Sequence, residues 1–159
     1  MKRKHLLSIT AVAVLALLLA PVACKSSGMA LTSRAQVLKL DIEHPNDLPE
    51  QGVDNLDIQL TNAGVNNIQH ILLEVELPPQ LIVLDQTQDR GVNSAHDPSS
   101  NIWRFSFGNI QAAERSTVRF RVRTAFGTLS ETGSVKATAW QEGLPGDKLI
   151  ETAVIRLRQ

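Results

Sequence analysis

The chain has 159 residues, with 16 basic and 16 acidic side chains, 4% aromatic residues, no tyrosine and one cysteine. A balanced charge argues against a nucleic-acid surface, and the shortage of rings argues against a platform for stacking sugars or bases. A lone cysteine excludes an intramolecular disulfide, so stability must come from packing. In chain order, Lys2, Arg3 and Lys4 open the sequence, Leu6 to Leu19 are almost wholly apolar, and Ala20-Pro21-Val22-Ala23-Cys24 supplies small residues at the exit. The apolar stretch to Val22 falls short of the about 20 residues of a spanning helix and is broken by Pro21, so a cleaved leader is expected.

These residues resemble the signal of a bacterial lipoprotein. The resemblance implies a signal peptide over 1–23, a lipid on Cys24 that holds the membrane as a partner, and a flexible tether over 24–35 that starts with Lys25-Ser26-Ser27-Gly28. In lipoproteins of two-membrane bacteria, a residue other than aspartate after the cysteine resembles an outer-membrane address, so Lys25 favours the outer over the inner membrane. Gly28-Met29-Ala30 offers a second reading, ordinary cleavage to a soluble periplasmic product that begins at Leu31. Loss of Lys2, Arg3 and Lys4 with the leader takes the 16 basic residues to 13 against 16 acidic, a formal charge of −3.

The remaining stretch, 36–159, is about 125 residues long, the size of one domain. Past Arg34, apolar and polar residues alternate at period two in short runs divided by Gly, Pro, Asn and Asp, which predicts an all-β chain. Strands are expected near Gln36 to Glu43, Asp54 to Thr61, Gln69 to Leu77, Leu81 to Leu84, Asn101 to Phe107, Ser116 to Thr124, Gly133 to Gln141 and Lys148 to Arg158. Seven or eight such strands suit a two-sheet antiparallel sandwich. The alternation turns Leu56, Ile58 and Leu60, then Leu73 and Val75, Phe105 and Phe107, Val118, Phe120 and Val122, and Ile155 and Leu157 inward. Asn62-Ala63-Gly64, Pro78-Pro79 and Gly143-Leu144-Pro145-Gly146 read as turns. Asp85 to Ser100 reads as a polar loop of about sixteen residues, longer than a simple connector.

Leu-Thr-Asn-Ala-Gly (Leu60 to Gly64), Val-Glu-Leu-Pro-Pro-Gln-Leu (Val75 to Leu81), Trp-Arg-Phe-Ser-Phe-Gly-Asn-Ile (Trp103 to Ile110) and Ser-Thr-Val-Arg-Phe-Arg-Val (Ser116 to Val122) resemble, in that order, the immunoglobulin-like "conserved repeat" domain of bacterial surface proteins. The resemblance implies an immunoglobulin-like sandwich and carries no shared activity.

No catalytic set, cofactor or metal site is expected. His44, His70 and His96 lack metal-ligand spacing. Ser94, His96 and Asp97 sit too close along one loop for a triad. Asp85-Gln86-Thr87-Gln88-Asp89 lacks the glycine and terminal glutamate of a calcium loop. Two surfaces remain. Arg119, Arg121 and Arg123 lie on one strand face roughly 7 Å apart, with Arg104 expected on a neighbouring strand, a row suited to anionic glycan or lipid head groups. The same row is also expected to pair with Asp57 and Asp41 across strands. Trp140 shares outward parity with Lys136, and with Leu144, Val154 and Arg156 it outlines a protein-docking patch. The chain thus reads as a lipid-anchored envelope protein with a non-catalytic interaction or structural module and an envelope protein as partner.

Overall fold

The apolar parity along each segment turns the buried side of every strand toward one slab of side chains between two sheets. A computed structural model describes residues 37–89, 92–127 and 131–158. The leader over 1–23, Cys24, the tether through 35 and the expected strand start at Gln36 lie outside the described residues. The strands are β1 Leu38–Glu43, β2 Asp47–Pro49, β3 Val53–Asn62, β4 Ile68–Glu76, β5 Leu81–Gln88, β6 Asn93–Asp97, β7 Ile102–Ile110, β8 Arg115–Thr124, β9 Glu131–Gln141 and β10 Leu149–Arg158. Four form a sheet in the order β1-β3-β8-β5, and six form a second in the order β2-β10-β9-β4-β7-β6.

The described residues form ten strands rather than seven or eight because β2 and β6 add to those expected. β2 holds a single buried residue, Leu48, beside Pro49, so it has no alternation to read. It pairs in parallel with β10, Leu48 opposite Leu157, which makes the sandwich mixed rather than wholly antiparallel. The expected loop from Asp85 to Ser100 is mostly strand: β5 runs on to Gln88, and β6 follows in the other sheet. Its inward side chains are glutamine, serine and histidine because they line an open margin of the slab, where polar groups keep their water.

The core follows from the alternation elsewhere. Leu56, Ile58 and Leu60 of β3 and Val118, Phe120 and Val122 of β8 are fully buried, as are Val75 of β4 and Val135, Ala137 and Ala139 of β9. Phe120 reaches across the slab to meet Phe105 and Trp103 of β7 edge to face, at ring-centroid distances of 5.9 and 5.5 Å. Two polar residues, Asn62 and Thr124, are buried just as deeply. Asn62 donates through Nδ2 to the carbonyls of Asn66 (2.8 Å) and Ile110 (3.1 Å) and accepts from the Gly64 amide (3.0 Å), which closes the turn after β3. A Cβ on Gly64 would come within 2.2 Å of Val37 Cγ1, so only glycine lets the chain leading into β1 pass this turn.

Candidate functional site

Three surfaces compete for a functional role, and the arginine row is the first. β8 sets Arg119 opposite Asp57, Arg121 opposite Asn55 and Arg123 opposite Val53 on β3. On its other side β5 brings Thr87, Asp85 and Ile82 to the same three positions. Arg119 donates from Nε and Nη2 to the two carboxylate oxygens of Asp57 at 2.7 and 2.5 Å, and this pairing raises its already high pKa. Asp41 stands opposite Gln59, and Glu43 opposite Asp57, so the expected charge pairing falls on Asp57 alone. Arg104 does not join the row. It lies on β7, which pairs with β4 and β6 and never with β8, and its Nε donates to Glu74 Oε2 at 2.9 Å on the outer face of the other sheet. Alternation gives a residue's face but not its sheet. The result is a face of mixed sign, poorly suited to a polyanion.

The second surface is the outer face of the six-stranded sheet. Trp140 is half-buried there opposite Leu72 of β4, and Lys148 Nζ lies 4.8 Å from its ring centroid. A cation over an indole face is attracted by the ring quadrupole. Leu144 and Leu149 line a shallow cleft on one side of the indole. On the other side a groove of about 290 Å3 runs past Leu72 to Ala95 and Ser106, edged by the Arg104 and Glu74 ion pair. Val154 and Arg156 lie elsewhere. Val154 stands opposite Ser134, roughly 20 Å along β9 from Trp140 at the usual strand rise, and Arg156 stands opposite Thr132, farther still. Lys136 sits between the two ends, 4.0 Å from Glu76. The five-residue patch therefore divides, and Lys148 and Leu72 take the places next to Trp140 that Val154 and Arg156 were expected to fill. Register rather than parity sets that distance.

The third surface is the margin between β5 and β6, which sequence reasoning missed. His96 of β6 stacks on Trp103 of β7 at 4.1 Å with the planes 15° apart. Trp103 Nε1 is buried and has no hydrogen-bond partner. The clue available in the sequence was an aromatic histidine at inward parity in a stretch with no apolar residues to bury. Ser94 and His96 stand opposite Phe105 and Trp103, while Asp97 stands opposite Ile102 on the other face, so the three form no triad. The acidic segment from Asp85 to Gln88 is part of β5, and no group of three or more His, Cys, Asp or Glu able to hold a metal occurs among the described residues.

Asp97 caps the turn after β6. The Ser99 and Ser100 hydroxyls and the Ser99 amide donate to its carboxylate and hold its pKa down from 3.8 to about 2. Because the folded pKa lies below the unfolded one, ionised Asp97 favours the fold above pH of about 4, and that contribution fades as pH falls toward 2. An NMR titration of the Asp97 carboxyl is expected to give a midpoint near 2. Ser99→Ala should move it up toward the ordinary value, and a wild-type midpoint close to 4 would contradict the capping role.

No protein-family model and no curated protein matches the chain. Solved structures do. A type I cohesin in complex with its dockerin from Clostridium thermocellum superposes with a TM-score of 0.58 at 7% identity over 76% of this chain and 99% of that one. The third cohesin of ScaC from Acetivibrio cellulolyticus, in complex with the ScaB dockerin, gives 0.56 at 10% over 77% and 99%. The CARDB domain of the PF1109 protein from Pyrococcus furiosus, in complex with two metal ions, gives 0.50 at 11% over 76% and 86%. The fold is an immunoglobulin-like sandwich. At these identities the likeness concerns the fold alone.

Proposed function

We propose that this chain is an envelope protein, anchored by a lipid on Cys24 with an outer-membrane address, whose sandwich is a non-catalytic interaction module for another envelope protein. The observation that carries the module reading is the surface around Trp140. A half-buried indole beside Leu72, opening on an apolar groove edged by the Arg104 and Glu74 pair, has the aromatic anchor and polar rim of a docking site. The cohesins that share the fold are described in complex with dockerins, which supports a protein partner. The anchor reading rests on the basic start, the apolar run and the small residues before Cys24.

Two measurements test the proposal. The N-terminal peptide of the protein from native membranes should carry two or three acyl chains on Cys24, and an unmodified start at Leu31 would overturn the anchor. A photoreactive residue at position 72 should cross-link one discrete partner in intact cells. Trp140→Ala should cut that adduct at least about tenfold, the effect of losing a binding hot spot. An adduct of equal yield would remove Trp140 as the anchor.

A further inference from the structure

Apolar side chains scattered singly over a surface need no explanation, whereas a cluster of them marks an interaction site. Among the described residues seven large apolar side chains are exposed, and four of them, Val53, Ile82, Leu84 and Phe126, lie at one end of the four-stranded sheet. Val53 of β3 and Ile82 of β5 stand on either side of Arg123 of β8, at 45% and 39% exposure. Leu84, 44% exposed, is the extra residue of the bulge between Val83 and Asp85, and Phe126 lies two residues past the end of β8. This end is the one away from the start of β1, because Leu38 pairs with Asn62 at the opposite end of β3.

The charges beside the cluster are of both signs. Arg121 stands opposite Asp85, and both side chains are exposed. The ion pairs of the described residues join other side chains, and the Asp85 carboxylate accepts instead from the Gln86 amide at 2.8 Å. A wholly basic or wholly acidic partner would be repelled by one of these two charges. A second copy of the chain would not be. When that copy is turned about a two-fold axis running along the strands between β5 and β8, β5 of each copy faces β8 of the other at the same level. Arg121 then meets Asp85 of the second copy, and Asp85 meets its Arg121. Arg123 comes level with Ile82 of the second copy by the same register, so its stem covers that side chain while the guanidinium keeps to water at the rim. A contact of this kind is self-complementary, each residue pair occurring twice.

We infer that this end of the four-stranded sheet pairs with a second copy of the chain about that two-fold, with Leu84 near the axis and Arg121 and Asp85 crossing between the copies. The axis leaves β1 of both copies starting at the same end, so two copies held at one membrane make the contact without either turning over, and that confinement raises their effective concentration. The Trp140 face belongs to the other sheet and stays open. Self-pairing therefore goes beyond the docking reading and does not depend on it.

The test is sedimentation equilibrium of the full mature chain in density-matched detergent. Wild type should show a concentration-dependent equilibrium between monomer and dimer. Arg121→Asp makes the two facing charges both acidic and Asp85→Arg makes them both basic, each at an exposed position, so either variant alone should dimerise at least about tenfold more weakly. Mixed in equal amounts, the two variants should pair with an affinity within about threefold of wild type, because every crossing contact then joins an acid to a base. A wild-type chain that stays monomeric at about 1 mM, variants that dimerise as wild type does, or a mixture no tighter than its components would each overturn the inference. Arg121→Asp should still give the adduct at position 72 in full yield, which separates a failure of self-pairing from a failure of partner docking.

Discussion

Phe120→Ala is expected to lower the free energy of unfolding by about 3 to 5 kcal/mol, a large share of the roughly 5 to 15 kcal/mol that a domain of this size holds. The ring is fully buried on β8, and its edge-to-face contacts with Phe105 and Trp103 join the two sheets. Truncation removes the transfer energy of the side chain, leaves a cavity that the two sheets cannot both close, and forfeits aromatic pairing of about 0.5 to 1.5 kcal/mol for each contact. Urea unfolding should show a lower midpoint at unchanged slope, while Phe120→Leu, which keeps most of the volume, should cost less than half as much. The Trp103 emission spectrum should also change, because the indole loses the ring that fixes it on one side. A loss below about 1 kcal/mol would mean that these rings do not hold the sheets together.

How far the sequence determined this arrangement depends on what each strand buries. β3 and β8 present one side to a slab of apolar side chains, so Leu56 and Val118 announced their direction through period two alone. The strands that escaped reading are those at margins. β6 buries none of its residues and is held by an exposed histidine stacked on Trp103, and a Ser-Ala-His-Asp string carries no apolar period. The second half of β5 turns Gln86 and Gln88 inward. Gln86 Nε2 donates to Gln88 Oε1 at 2.9 Å and Gln88 Nε2 to the Val92 carbonyl at 2.8 Å, which satisfies amides that a dry core would reject. β2 depends on a parallel pairing with β10 more than a hundred residues away, a long-range fact with no local trace.

The same limit governs the candidate sites. Parity correctly placed Arg119, Arg121 and Arg123 on one face, yet the sheet to which Arg104 belongs follows from which strands pair. Parity likewise set Trp140 and Val154 on one outer face, while the β9 and β10 register moved them far apart. Lys148 came to the indole through the hairpin geometry after β9, which the turn residues Gly143 to Gly146 allow but do not specify. The Trp103 donor became visible only once the absence of an acceptor around it was known.

Asn62→Leu is expected to cost on the order of 3 kcal/mol although it replaces a polar residue in the core with an apolar one. The amide of Asn62 serves three backbone groups, the carbonyls of Asn66 and Ile110 and the N–H of Gly64, and leucine can satisfy none of them. Each buried group left without a partner costs about 1 to 3 kcal/mol, which outweighs the gain from burying a leucine in a site shaped for a smaller side chain. Asn62→Asp separates the hydrogen bonds from side-chain size. An ionised aspartate cannot donate, and it would face two carbonyl oxygens in a fully buried position, so its pKa in the fold must rise above the unfolded value. A carboxyl with a raised folded pKa loses stability as pH increases, so this variant should be more stable at pH 4 than at pH 7, opposite in sign to the contribution of Asp97. The Gly64 amide should exchange faster in Asn62→Leu, which removes its acceptor, whereas the aspartate keeps an oxygen to accept from it. Stability within about 1 kcal/mol of wild type for Asn62→Leu, together with unchanged Gly64 exchange, would show that the turn holds its shape without the Asn62 amide.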